Sequence, residues 1–143
     1  MRFVLPNLNR YVRAVSLLCV IAVGHAEATT LTGIFSGQGR PCWGRLRLTS
    51  KTIEWTTPYS ACKATAYDVV EQDLKSKAPI ASYRLKQRNS ACRFPYISVK
   101  FDPAYPDYWQ LVGYASKKAF EQRKEDGPEQ QDQRLECSAR KLE

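Results

Sequence analysis

Five cysteines, one histidine and fourteen carboxylates are the residues of this 143-residue chain best suited to covalent or acid–base chemistry. Their placement excludes much of it. His25 falls within residues 1–26, which read as a cleaved secretory signal, so the remaining chain has no imidazole. That removes Ser-His-Asp and Cys-His hydrolysis and histidine metal sites together. Cys19 lies in the same segment, leaving Cys42, Cys62, Cys92 and Cys137. An even count in a small exported domain predicts two disulfides, and no Cys-x-x-Cys spacing supports zinc. Pairing in sequence order, Cys42–Cys62 and Cys92–Cys137, is the expectation among three connectivities, with no thiol left as a nucleophile. Ser36-Gly-Gln-Gly-Arg40 lacks the lysine and following helix of a phosphate cradle, and no calcium loop is present. The reading is of a chain with no catalytic residues, no cofactor and no metal.

Carboxylate pairs are the chemistry that remains, since glycoside hydrolysis needs only two acids across a cleft. Glu54, Asp68, Glu71, Asp73, Asp102 and Asp107 are available, and the last two flank Tyr105, Tyr108 and Trp109, aromatic surfaces able to stack on sugar rings. No two of these acids are paired by spacing, and solvated carboxylates with aromatics covering a barrel end are the simpler expectation. Cations offer a binding surface instead. Three of the 22 Lys and Arg lie in residues 1–26, so the rest of the chain carries 19 against 14 acids, a charge of +5 that favours anionic polymers or acidic proteins. Arg45, Arg47, Arg84, Lys86 and Lys100 alternate with apolar residues and should face outward, with Trp43 and Tyr96 as stacking platforms. If their strands are neighbours, these residues form one basic face.

The elements that must position them are strands. Arg2, Arg10 and Arg13 precede the short apolar run Ala14–Val23, and Gly24 and Ala26 sit at −3 and −1 of a cleavage site, the layout of a secreted or periplasmic protein without a membrane span. Residues 27–143 then read as one domain, expected to be monomeric. Period-two alternation marks Arg45–Leu48 and Ile53–Thr56 as a hairpin. A two-residue turn at Thr49-Ser50 sets Leu46 opposite Ile53; a four-residue loop through Thr52 shifts the partners and preserves the faces. Further strands are read at 31–35, 67–73, 82–86, 96–101, 109–114 and 135–140, with a short helix capped by Ser116. The segment 124–133 has no apolar residue and reads as an exposed mobile loop.

Together these predict an all-β fold, a small antiparallel meander of about eight strands closing into a barrel or two-sheet sandwich. The export signal, paired cysteines, short strands and the Trp-x-Leu-x-Gly-Tyr segment from Trp109 to Tyr114 give a layout that resembles small periplasmic lysozyme-inhibitor barrels. The resemblance implies architecture; a +5 domain has the wrong sign to meet a strongly basic enzyme, and no residue role follows from it. The function expected is that of a non-enzymatic binding module recognising an anionic envelope polymer or a protein. A lipocalin-like carrier of an apolar ligand and a carboxylate-dependent glycan-active enzyme are the alternatives.

Overall fold

The computed structural model describes residues 29–125, 127 and 131–142; the segment read above as an export signal, and residues 126 and 128–130 of the polar loop, lie outside them. Among the described residues nine antiparallel strands form one sheet: β1 (Gly33–Gly37), β2 (Arg45–Leu48), β3 (Ile53–Thr57), β4 (Ser60–Thr65), β5 (Tyr67–Asp73), β6 (Ile80–Leu85), β7 (Tyr96–Phe101), β8 (Trp109–Tyr114) and β9 (Arg134–Lys141). Their order is β4-β3-β2-β1-β9-β8-β7-β6-β5. A single residue, Ala66, separates the two edge strands, so β4 and β5 are halves of one bent strand, the first paired with β3 and the second with β6. This bend brings the sheet into a nearly closed barrel. Register shifts at Ile53/Trp55 and Val69/Glu71 flank it, as expected where bulges add the twist a barrel corner needs. Lys86 N–H donates to Ala66 O at 2.9 Å, carrying hydrogen bonding across the corner.

The strand faces follow the alternation in the sequence. Leu46, Leu48, Ile53, Trp55, Tyr83, Leu85, Ile97, Val99 and Leu111 are buried, while Phe101 and Trp109 are half-buried. The first hairpin takes the four-residue loop: Leu48 faces Ile53, Leu46 faces Trp55, and Thr49 N–H donates to Thr52 O at 2.9 Å. Phe94, from the loop before β7, joins this core with its ring centroid 6.0 Å from that of Trp55. Both rings press on Gly113, where an added Cβ would lie 2.6 Å from Trp55 and 2.7 Å from Phe94. Gly44 is required for a different reason: its φ is 147°, and a Cβ there would meet Thr56 O.

Helix α1 (Lys117–Glu121) forms where expected, with Ser116 Oγ accepting from Ala119 N–H at 3.1 Å. It covers the outer face of β8, where Ala119 and Phe120 pack against Val112, Tyr114 and the half-buried Tyr96. Strand β8 is thereby covered on both sides from Leu111 to Tyr114. Beside it, Ser82 and Ser98 are buried on the outer wall, 2.7 Å apart, and Ser82 donates to Glu71 at 3.0 Å. Arg123 reaches the same carboxylate at 3.2 Å and lies over Phe120, fastening the segment after α1 to the wall.

The disulfides correct the expected pairing. Cys42 joins Cys137, and Cys62 joins Cys92. Pairing in sequence order fails because β9 inserts between β1 and β8, which brings Cys137 beside the 3-10 turn Arg40–Cys42 that follows β1. Cys62, on β4, instead faces the β6–β7 loop. Asn89 in that loop accepts from Lys63 N–H at 3.0 Å and donates to Ala61 O at 2.7 Å, so loop and disulfide together cover the β4 edge. Strand β4 itself is missing from the periodicity reading because its buried residues are Ser60, Cys62 and Thr65 rather than large apolar ones.

Candidate functional site

The predicted basic face is divided by strand order. Arg45 and Arg47 lie exposed on β2, next to exposed Trp43, and opposite Thr56 and Glu54. Arg84, Lys86 and Lys100 are exposed on or just after β6 and on β7, strands that do not neighbour β2 in either direction around the barrel. Asp68 faces Arg84 across β5–β6 and binds both Arg84 (2.6 Å) and Lys86 (3.4 Å). The hydrogen bond from Arg84 holds the Asp68 carboxyl below the usual aspartate range. Tyr96 is not an open platform, because Phe120 stacks on it with centroids 5.3 Å apart. These seven residues therefore form two separate basic areas, one of them partly neutralised.

The carboxylates are dispersed as well. Glu54 stands opposite Arg47, Glu71 is held by Ser82 and Arg123, and Asp73 accepts from Lys75 and Ser76 N–H at 3.2 Å. Asp107 is exposed; Glu54 lines a shallow cleft of about 360 Å³ with Arg45 and Arg47, and Asp102 lines one of about 520 Å³.

That cleft, of about 520 Å³, is lined by Gln38, Asp102, Tyr105, Tyr108, Trp109, Gln110 and Ser138. Its floor is a transverse row on the outer wall. Gln110 on β8 faces Ser138 on β9, and Gln38, just past β1, donates its backbone N–H to Ser138 O at 2.8 Å. Its overhang is the loop between β7 and β8. Tyr105 N–H donates to Asp102 O and Tyr108 N–H to Tyr105 O, each at 3.0 Å, giving two successive β-turns with Pro103 and Pro106 second in each. Proline presets φ at that turn position, so the loop presents Tyr105 and Tyr108 three residues apart on a stiff frame. Asp102 Oδ1 accepts from Ala104 N–H at 2.9 Å. Arg140 donates to the Tyr108 hydroxyl at 3.1 Å with its guanidinium 5.3 Å from the ring centroid, and that bond raises the arginine's pKa further. Trp109 closes the end against Phe35 and Phe101, with centroids at 5.5 and 5.3 Å.

The sequence marks Tyr105, Tyr108, Trp109 and Asp102 as one aromatic–acidic loop. Gln38, Gln110 and Ser138 carry no such signal, being isolated polar residues in three distant segments that only strand pairing unites. Fold and site together define a disulfide-stapled antiparallel barrel with a polar–aromatic cleft on its outer wall. No protein-family model matches the chain, and neither a curated protein nor a solved structure matches it significantly, so the likeness to lysozyme-inhibitor barrels stays one of layout.

Proposed function

We propose that this protein is an exported, non-enzymatic binding module whose recognition site is the outer cleft beneath the 102–108 loop. The observation carrying this reading is the convergence of three outward polar side chains from β8, β9 and the end of β1 under two tyrosines held by proline turns. Concave sites combining aromatic surface with a few placed polar groups are where ligands bind most often. The two disulfides are compatible with a non-cytoplasmic setting.

The alternatives have less support. A ligand inside the barrel would have to displace Phe35, Trp55, Tyr83 and Ile97, which occupy the interior with almost no exposure. Glycoside hydrolysis requires two carboxyl groups facing one bond, and Asp102 is the one acid among the described residues lining the cleft. An anionic partner on the basic strands would meet two separated areas rather than a continuous face.

The test is capture from the envelope and medium of the producing cell on immobilised oxidised protein, alongside a Tyr105→Ala/Gln110→Ala variant. A stoichiometric partner retained by the wild type and lost by the variant is the expected result. Retention equal on both proteins would place recognition elsewhere and overturn the reading.

A further inference from the structure

We propose that the cleft is a saccharide site that takes the C–H face of a neutral pyranose ring on Tyr105 and Tyr108, with the ring hydroxyls met by Gln38, Asp102, Gln110 and Ser138. This inference rests on the reading of the cleft as the recognition site and assigns its ligand class. A pyranose has two chemically distinct parts: faces of C–H groups, and an edge of hydroxyls that each donate and accept. The cleft has the matching two parts.

Tyr105 is 67 % exposed, an aromatic surface held open by the paired turns rather than folded into the core. Tyr108 is half-buried and fixed by Arg140, and Trp109 supplies the inner end. Exposed rings held in place cost energy to leave in water and gain by covering an apolar face. Along the floor, each glutamine offers two donors and an acceptor, and the serine hydroxyl both donates and accepts. Gln38 Nε2 already donates to Ser36 O, at 3.3 Å, and one Asp102 oxygen accepts from Ala104 N–H. The rest of this donor and acceptor capacity suits vicinal hydroxyls, which need both functions side by side.

Charge selects among sugars. Asp102 is the one charged group among the described residues that line the cleft. The Arg140 guanidinium is turned onto Tyr108. Lys100, opposite Gln110 across β7–β8, and Arg140 stand at the rim. Asp102 is the charge on the lining itself, so an anionic substituent on the hydroxyl edge would face a carboxylate and the site favours a neutral ring. A cavity of about 520 Å³ falls in the range of roughly 300–1,000 Å³ typical of small-ligand sites.

The test is calorimetric titration of the oxidised protein, as isolated from the producing cell, with cello-, malto- and chito-oligosaccharides, and with heparin as the anionic comparator. At least one neutral series should bind saturably, with affinity reduced about tenfold or more by Tyr105→Ala and by Gln110→Ala, the loss expected for one stacked ring or one paired amide. Both side chains are exposed, so unchanged far-UV circular dichroism should accompany the loss. Tyr59→Ala, an equally exposed tyrosine outside the cleft, should leave binding intact. Absence of saturable binding by every neutral series, binding insensitive to both cleft variants, or tighter heparin binding lost with those variants would each overturn the assignment. If the cleft-dependent partner described above is captured while no saccharide binds, the ligand class fails and the recognition site stands. If neither is observed, both fail.

Discussion

The Tyr83 hydroxyl is buried in the barrel with no hydrogen-bond partner among the described residues, 4.8 Å ring to ring from Tyr67. Burial, and then the neighbouring Tyr67, push its pKa well above the ordinary tyrosine value of 10.0. The folded protein therefore keeps a proton that the unfolded chain releases above that value. This contribution to stability is whole below pH 10 and is lost as pH rises through the raised folded value. Tyr67 and Tyr114, also raised by burial, act in the same direction. Tyr83→Phe should make the decline above pH 10 shallower and, by deleting an unsatisfied polar group, should leave stability at pH 7 unchanged or higher by about 1 kcal/mol. Urea denaturation at pH 7 and pH 11 checks both, and a large loss at pH 7 would mean the hydroxyl has a partner. Gly113→Ala should behave in the opposite way. Its Cβ would enter the van der Waals space of Trp55 and Phe94, two rings with little room to move, at a cost of about 1–3 kcal/mol. The urea midpoint should fall with its slope unchanged.

At the scale of elements, the two disulfides do different work. Cys42–Cys137 closes a separation of 95 residues and ties the turn after β1 to the last strand, whereas Cys62–Cys92 spans 30 and fastens one loop to the β4 edge. Loop-closure entropy gives about 4.7 kcal/mol for the longer and about 3.6 kcal/mol for the shorter. Replacing Cys42 and Cys137 by alanine should thus lower the unfolding free energy by about 1 kcal/mol more than replacing Cys62 and Cys92, as read from denaturant midpoints. Non-reducing peptide mapping of the native protein should recover these two pairs; recovery of Cys42 joined to Cys62 would refute the strand order. The alternation of Leu46, Leu48, Ile53 and Trp55 made their hairpin readable from sequence, because one-sided burial leaves a period of two. Strand β4 escaped the same reading, since a position can be buried by Ser60 or Thr65 as well as by leucine.

For the whole molecule, the strand order keeps β2 from neighbouring β6 or β7 by either route around the barrel, so the basic residues do not form one continuous surface. Each area should contribute independently to retention on heparin. Arg45→Ala/Arg47→Ala and Arg84→Ala/Lys86→Ala/Lys100→Ala should lower the eluting salt by amounts that add in the combined variant. Asp68 already binds Arg84 and Lys86, so the loss per cation should be greater on β2. A combined effect well above the sum would indicate one ligand spanning both areas.

The amino-acid sequence by itself determined the strand faces, the Ser116 cap and the proline turns of the 102–108 loop, because each depends on residues a few positions apart. It also brought the aromatic half of the cleft into view, as Tyr105, Tyr108 and Trp109 lie within one five-residue stretch. Only the tertiary structure decided which cysteines pair, which cations share a wall, and that Gln38, Gln110 and Ser138 share a row. The physical reason is common to all three. They depend on β9 entering between β1 and β8 and on one strand bending at Ala66 to close the sheet. Pairing between distant segments leaves no periodic mark in either of them.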